Sequence, residues 1–181
     1  MSKHVALLRA INVGGRNSLP MKTLAVMFEE LGCKNVRTYI QSGNVVFDAS
    51  DALAKRVPQA IHAAIEKKCG FSVPVVIRSH AELAKVAHKH AFAKRAKDPK
   101  ALHFAFLADI PRADRIALLD PERSPPDELE VIGRDIHLHM PKGVGHSKLT
   151  NVYLDSKLGT VSTLRNLATV QKLLAMCEGE D

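Results

Sequence analysis

Two β-rich runs, residues 36–40 and 45–47, are separated only by Gln41-Ser42-Gly43-Asn44, and segments of helical periodicity flank the pair on both sides. Ser-Gly between alternating apolar residues closes a tight antiparallel hairpin. Before it, residues 5–11 (VALLRAI) read as a strand apolar on both faces, with Arg9 as a charge inside the run. Ser18 is placed to cap a helix with Pro20 in its first turn; Met21, Leu24, Phe28 and Leu31 then fall at helical spacing until Gly32 stops them. After the hairpin a second helix opens near Pro58, buries Ile61, Ala64 and Ile65, and closes at Cys69-Gly70, and residues 73–77 form a fourth strand. A hairpin held between two helices, with a strand at either end, is the β-α-β-β-α-β order of a ferredoxin-like unit. In that topology strand one lies beside strand three and leaves the sheet where the hairpin turns. Residues 12–17 and 41–44 are therefore expected at one rim.

The second half restarts the same order. Ser79-His80-Ala81-Glu82 has the form of a capping box opening a helix to about His90, and a basic connection runs over 92–100. Residues 103–107 read as a strand, a short helix starts at 109–111 with Ile116 and Leu119 on its buried side, and 121–127 is a proline-rich loop. A hairpin follows over 129–132 and 136–140 around Gly133-Arg134. Gly143 to Gly145 lead to a helix over 147–157, and Ser162 or Thr163 caps a last helix to about Cys177. The expected fold is α+β: a ferredoxin-like half over 1–79, a helix and basic connection over 80–100, and a related β-α-β-β-helix half over 101–181 packed against the first.

The formal charge of +7 and pI near 9.5 favour an anionic partner, whereas 4% aromatic residues and no Trp supply few stacking platforms for single-stranded nucleic acid. Cys33, Cys69 and Cys177 are scattered without paired spacing, the pattern of reduced thiols in a cytoplasm. The apolar stretch at 5–8 is too short for a membrane span or a secretion signal, so a soluble cytoplasmic protein without a membrane partner is expected. No metal site is expected: His88 and His90 diverge at a helix end, and His137 and His139 share a strand face as surface histidines without a further ligand at suitable spacing. No Cys–His pair or nucleophile elbow is present, and no cofactor motif is found; the glycine spacing fits neither GxxxxGK[ST] nor GxGxxG.

The candidate chemistry is that of an anion grip. Gly14 and Gly15 permit close backbone approach to a ligand, and Asn12, Arg16 and Asn17 surround them. Arg9 either pairs structurally with Asp48 at the end of the third strand or offers a guanidinium fork to a phosphate or carboxylate. Ser42, Gly43 and Asn44 would complete a polar rim. Further along, Gly145-His146-Ser147-Lys148 precedes a helix, and Arg165 and Asn166 sit in the first turn of the last helix.

Three separated stretches, LLRAINVGGRN, VRTYIQSGNVVF and TLRNLATVQKLLAM, resemble a widespread bacterial family of domains of unknown function with LLRGINVGG, TYIQSGNVVF and TARNWNTV-type motifs. The resemblance implies two ferredoxin-like halves and no assigned activity. It carries over to Arg9, Asn12, Gly14, Gly15, Asn17, Gln41, Ser42, Gly43, Asn44, Ser147, Lys148, Arg165 and Asn166. Ala10 stands where that family has Gly, and Leu167-Ala168 where it has Trp-Asn. The function expected is binding of a phosphate-bearing ligand, a nucleotide-like molecule or a nucleic-acid backbone, at a composite polar site. The alternatives are an enzyme on a small anionic substrate with Lys148 or His146 as proton carrier, and a structural or dimerisation module; the oligomeric state is not readable.

Overall fold

The computed structural model describes residues 1–179, which divide into two compact units: Met1–Ala84 with the chain from Lys172 onward, and Lys85–Gln171. The first unit runs β1 (Ser2–Leu8), α1 (Met21–Glu30), β2 (Lys34–Tyr39), β3 (Asn44–Ala49), α2 (Asp51–Cys69) and β4 (Val75–Ser79), leading into α3 (His80–Ala87). Its sheet has the order β2-β3-β1-β4 with every pair antiparallel, the ferredoxin-like arrangement read from the sequence. Strand alternation sorts the core: Ala6, Leu8, Val45 and Phe47 join Leu24 and Phe28 of α1 and Val57, Ile61 and Ile65 of α2 in one apolar cluster. The Phe28 and Phe47 rings meet with centroids 5.2 Å apart.

Three local expectations change. β1 ends at Leu8, so Arg9 follows the strand instead of interrupting it. α1 is entered through Pro20 with no side-chain cap, and Ser18 lies exposed outside the helix. Pro58 lies inside α2 and does not start it. That helix begins at Ser50, whose side chain accepts from Leu53 N (3.2 Å), and it closes at Gly70 in the left-handed conformation. The helix survives the missing N–H because Ala54, Val57, Ile61 and Ile65 bury one continuous stripe. The capping box before α3 is present: Ser79 N donates to Glu82 Oε2 (2.8 Å), and Glu82 N donates to Ser79 Oγ (3.3 Å).

The second unit holds β5 (Leu102–Leu107), α4 (Ala113–Ile116), β6 (Glu128–Ile132), β7 (Asp135–His139), α5 (Asn151–Leu158) and β8 (Ser162–Asn166), followed by α6 (Leu167–Glu178). Its sheet, β6-β7-β5-β8, repeats the first. The segment read as the cap and first turn of the last helix is instead β8, paired along β5. The fourth strand of a ferredoxin-like half is recruited by a partner some 60 residues away in sequence, which local capping patterns cannot reveal. Asn166 is the true cap of α6, accepting from Thr169 N (2.8 Å). The helix expected over 147–157 is shorter, starting at Asn151 behind the Thr150 cap.

Duplication is visible in the registers. β1 sets Val5 opposite Arg78 and Val46, and β5 sets Phe104 opposite Arg165 and His137. His4, Ala6, Leu8 and Arg78 thereby match His103, Ala105, Leu107 and Arg165. Each unit closes its rim with one bond to the hairpin, Leu8 N to Gly43 O (2.8 Å) and Leu107 N to Arg134 O (2.9 Å).

Candidate functional site

The rim of the first unit forms where β1 runs out. Arg9 N donates to Pro74 O (3.0 Å), and the chain then folds back on itself as a miniature hairpin. Asn12 N donates to Asn17 O (3.1 Å), and Arg16 N donates to Val13 O (3.0 Å) across an isolated bridge. Gly14 (φ 56°) and Gly15 (φ 73°) occupy the two central turn positions, both in the left-handed region that a primed hairpin turn requires. Five residues, Arg16 to Pro20, separate the glycines from the first residue of α1, Met21. They are exposed, as are Val13 and Arg16, and a Cβ built on either glycine would meet open space.

The meeting of residues 12–17 with 41–44 is observed. Asn12 is the clasp: its Nδ2 donates to Leu19 O (2.9 Å) and Gln41 O (3.0 Å), while its Oδ1 accepts from Leu19 N (2.8 Å). Asn17 Nδ2 donates to Ala10 O (2.9 Å). Asn44 is fully buried and donates to Ser42 Oγ (2.9 Å) and Tyr39 O (3.2 Å). These four polar side chains therefore frame the rim. Gly43 (φ 76°) is indispensable here, since a Cβ at that position would stand 2.7 Å from Leu8 Cβ.

Backbone strain gathers at the same place. Among the described residues five non-glycine residues have positive φ, and four of them, Ala10 (58°), Asn12 (53°), Asn17 (50°) and Ile40 (48°), belong to this rim. Asn tolerates that region and Ala tolerates it poorly; for a β-branched Ile it is an outlier. Ala10 thus occupies a backbone position that suits the Gly of the motif it resembles. The pairing of Arg9 with Asp48 does not occur. Register sets Asp48 opposite Lys3, at the far end of β1, and the Asn35 amide and then Lys3 hold its carboxyl below the usual range. Asn35 Nδ2 donates to Asp48 at 2.6 Å, and Lys3 Nζ lies 3.3 Å away.

The remaining candidates lie in the second unit. Lys148 is exposed on a loop, its backbone N–H donating to Ser124 Oγ (2.9 Å), and His146 is exposed beside it. Arg165 is half-buried on β8, where its Nη1 donates to Thr163 Oγ1 (2.9 Å) and Leu164 O (2.7 Å). Burial lowers its pKa to about 10, so it remains a cation at neutral pH.

Sequence reasoning missed two features. Arg78, in the register position of Arg165, is fully buried, with Nη1 donating to Ile77 O (2.9 Å). His137 is not a surface histidine but is buried among aromatic rings, 5.1 Å from His90 and 5.0 Å from Phe104 between centroids. Its Nδ1 accepts from Ala91 N (3.0 Å), and His90 Nδ1 accepts from Phe92 N (3.2 Å) while its Nε2 reaches His103 O (2.9 Å). Both rings are thus neutral, with the proton on Nε2. Burial depresses His137 to about 4, and it lowers His90 and His103 as well. The available signal was that residues 136–138 form an internal strand, covered on both faces. Among the described residues no group of His, Cys, Asp or Glu is arranged to hold a metal ion, all three cysteines are free, and no helix is long and apolar enough to cross a membrane.

Comparison with known proteins places the chain in a family. Residues 1–137 match the model described as protein of unknown function (DUF1697), and the chain belongs to that family. A solved structure, that of a conserved bacterial protein from Streptococcus pneumoniae, superposes with a TM-score of 0.73 at 22% identity, over 97% of this chain and 98% of that one. It shares the fold. No curated protein matches the sequence.

Proposed function

We propose that this member of the DUF1697 family is a binding protein for a phosphate-bearing ligand, gripped at the exposed glycine turn of the first unit. The observation that supports this most is the backbone of the rim: four non-glycine residues are held at positive φ around an open Gly14-Gly15 tip, with the strain falling on Ala10 and Ile40. Strain of this kind costs about 1–3 kcal/mol per residue and is retained where surrounding structure over-determines it, commonly at ligand sites. The local charge suits an anion, since the rim segment carries Arg9 and Arg16, and residues 9–19 include no acidic side chain. In this reading Asn12, Asn17, Ser42 and Asn44 hold the frame, the glycine N–H groups approach the ligand, and Arg9 and Arg16 neutralise it. The enzyme alternative gains nothing from His146, at the end of a short 3-10 turn, or from Lys148 on the loop after it, since both stand exposed to solvent.

Calorimetric titration with inorganic tripolyphosphate at low salt tests the proposal. Arg16→Ala, at an exposed position outside the frame, removes a charge-assisted hydrogen bond worth about 1.5–3 kcal/mol, and should weaken binding about tenfold or more. Equal affinity of Arg16→Ala and wild type, or no binding at low salt, overturns it. A short RNA or DNA duplex in place of tripolyphosphate separates the nucleic-acid version, whose affinity must fall steeply with added salt.

A further inference from the structure

β6 is an edge strand, with β7 as its strand neighbour in the sheet order. An open cleft of about 790 Å³ runs along that edge. Strand alternation divides β6 cleanly. Leu129 and Val131 pack toward Ile116 and Leu119 in the core of this unit, whereas Glu128 and Glu130 stand opposite His139 and His137 on the other face. The cleft is lined from both faces, so it wraps the strand edge.

Its charge is opposite to that of the chain. Glu122, Asp127, Glu128 and Glu130 line it with Arg95 as the single cation, in a protein of net charge +7. Arg95 is engaged with Glu128 (3.1 Å), and Asp127 is tied to Ser124 Oγ (2.7 Å). Glu122 and Glu130 lie exposed toward solvent. Glutamates on an edge strand can serve only to discourage pairing. That role makes no use of the cleft itself, where Ile116, Leu119, Leu129 and Val131, packed against the core but only partly buried, stand beside the same edge.

We propose that β6 docks an extended segment of another protein in which basic and apolar residues alternate, adding a fifth strand to this sheet. Main-chain hydrogen bonds to the free edge would supply registration, and alternate side chains the specificity. Lys or Arg at every second position would face Glu128 and Glu130, and the apolar residues between them would enter the cleft beside Leu129 and Val131. A second copy of this chain fits poorly, because pairing β6 with itself sets glutamates against glutamates.

Fluorescence anisotropy of the full chain with a labelled Lys-Val-Arg-Val-Lys-Val peptide is the test, with circular dichroism as the check on folding. Saturable binding is expected, weakened at least tenfold by Glu130→Lys or, should that variant misfold, by Glu122→Lys. Methylating the peptide nitrogens that face β6 should abolish binding, and tripolyphosphate should not compete. Equal binding by the methylated peptide would mean charge attraction without strand addition and would overturn the proposal. So would an unchanged affinity in the charge-reversed variants, no saturable binding, or a dimer of the free protein lost in Glu130→Lys.

Discussion

Replacing Gly43 with Ala while making the same change at Gly14 isolates the packing that fixes the rim. Both residues hold positive φ, 76° and 56°, so each substitution costs roughly 1–2 kcal/mol of left-handed strain. Only Gly43 adds a collision: its Cβ would lie 2.7 Å from Leu8 Cβ and 2.8 Å from Ile11 Cδ1, while at Gly14 nothing lies within 4 Å. Ile11 Cδ1 is the end of a flexible side chain and can swing away. Leu8 Cβ is fixed to the backbone, and Leu8 N donates to the Gly43 carbonyl (2.8 Å), so relief must lengthen that bond. Overpacking of this kind adds about 1–3 kcal/mol. Gly43→Ala should therefore cost about 2–5 kcal/mol and Gly14→Ala about 1–2, against a total of about 5–15 for a domain. Urea unfolding followed by far-ultraviolet circular dichroism measures both. Equal losses in the two variants would show that the hairpin does not press on β1, and the geometry derived for the rim would be refuted.

Ala10→Gly, at φ 58°, should stabilise the protein by up to about 1 kcal/mol through relief of strain, seen as a higher urea midpoint with unchanged slope. Asn12→Ala removes three hydrogen bonds and should cost about 2–4 kcal/mol, with hydrogen exchange accelerating at Leu19 before the sheet amides. His137 titrates near 4 when folded and near 6.5 when unfolded, so the stability it contributes is complete above pH 6.5 and is lost as pH falls through 4. That loss is worth about 3 kcal/mol at most. Thermal midpoints measured from pH 7 to pH 4 should fall less steeply in His137→Phe than in wild type, even though the variant is weaker at neutral pH for want of a partner to Ala91 N.

The sequence carried the topology well because it is written in local signals. Apolar runs, the Gln41–Asn44 turn and the Ser79–Glu82 capping box each resolve within a few residues, and together they set the order of the first unit. Topology alone then brought Asn12 to Gln41. What stayed hidden depends on partners distant in the chain. β8 exists because β5 offers it an edge, so Arg165 looks helical from its neighbours and is a strand residue in the fold. The roles of Asn12, Asn17, Ser42 and Asn44 were legible as polar residues at a rim, but not as a frame that consumes its own hydrogen-bonding capacity. Arg9 shows the limit of a strand boundary: one residue past Leu8, it leaves the run that would have demanded Asp48 as its partner. His137 was misjudged because an imidazole in an internal strand reads as polar unless the depth of the strand is known.

The most direct test of the proposed grip is the amide nuclear magnetic resonance spectrum of the full chain, titrated with tripolyphosphate at low salt. Saturable shifts at the Gly14 and Gly15 amides, lost in Arg16→Ala and leaving β6 unaffected, are predicted. Shifts confined to other residues, or a glycine turn that does not respond at all, would contradict the proposal that this rim binds a phosphate-bearing ligand.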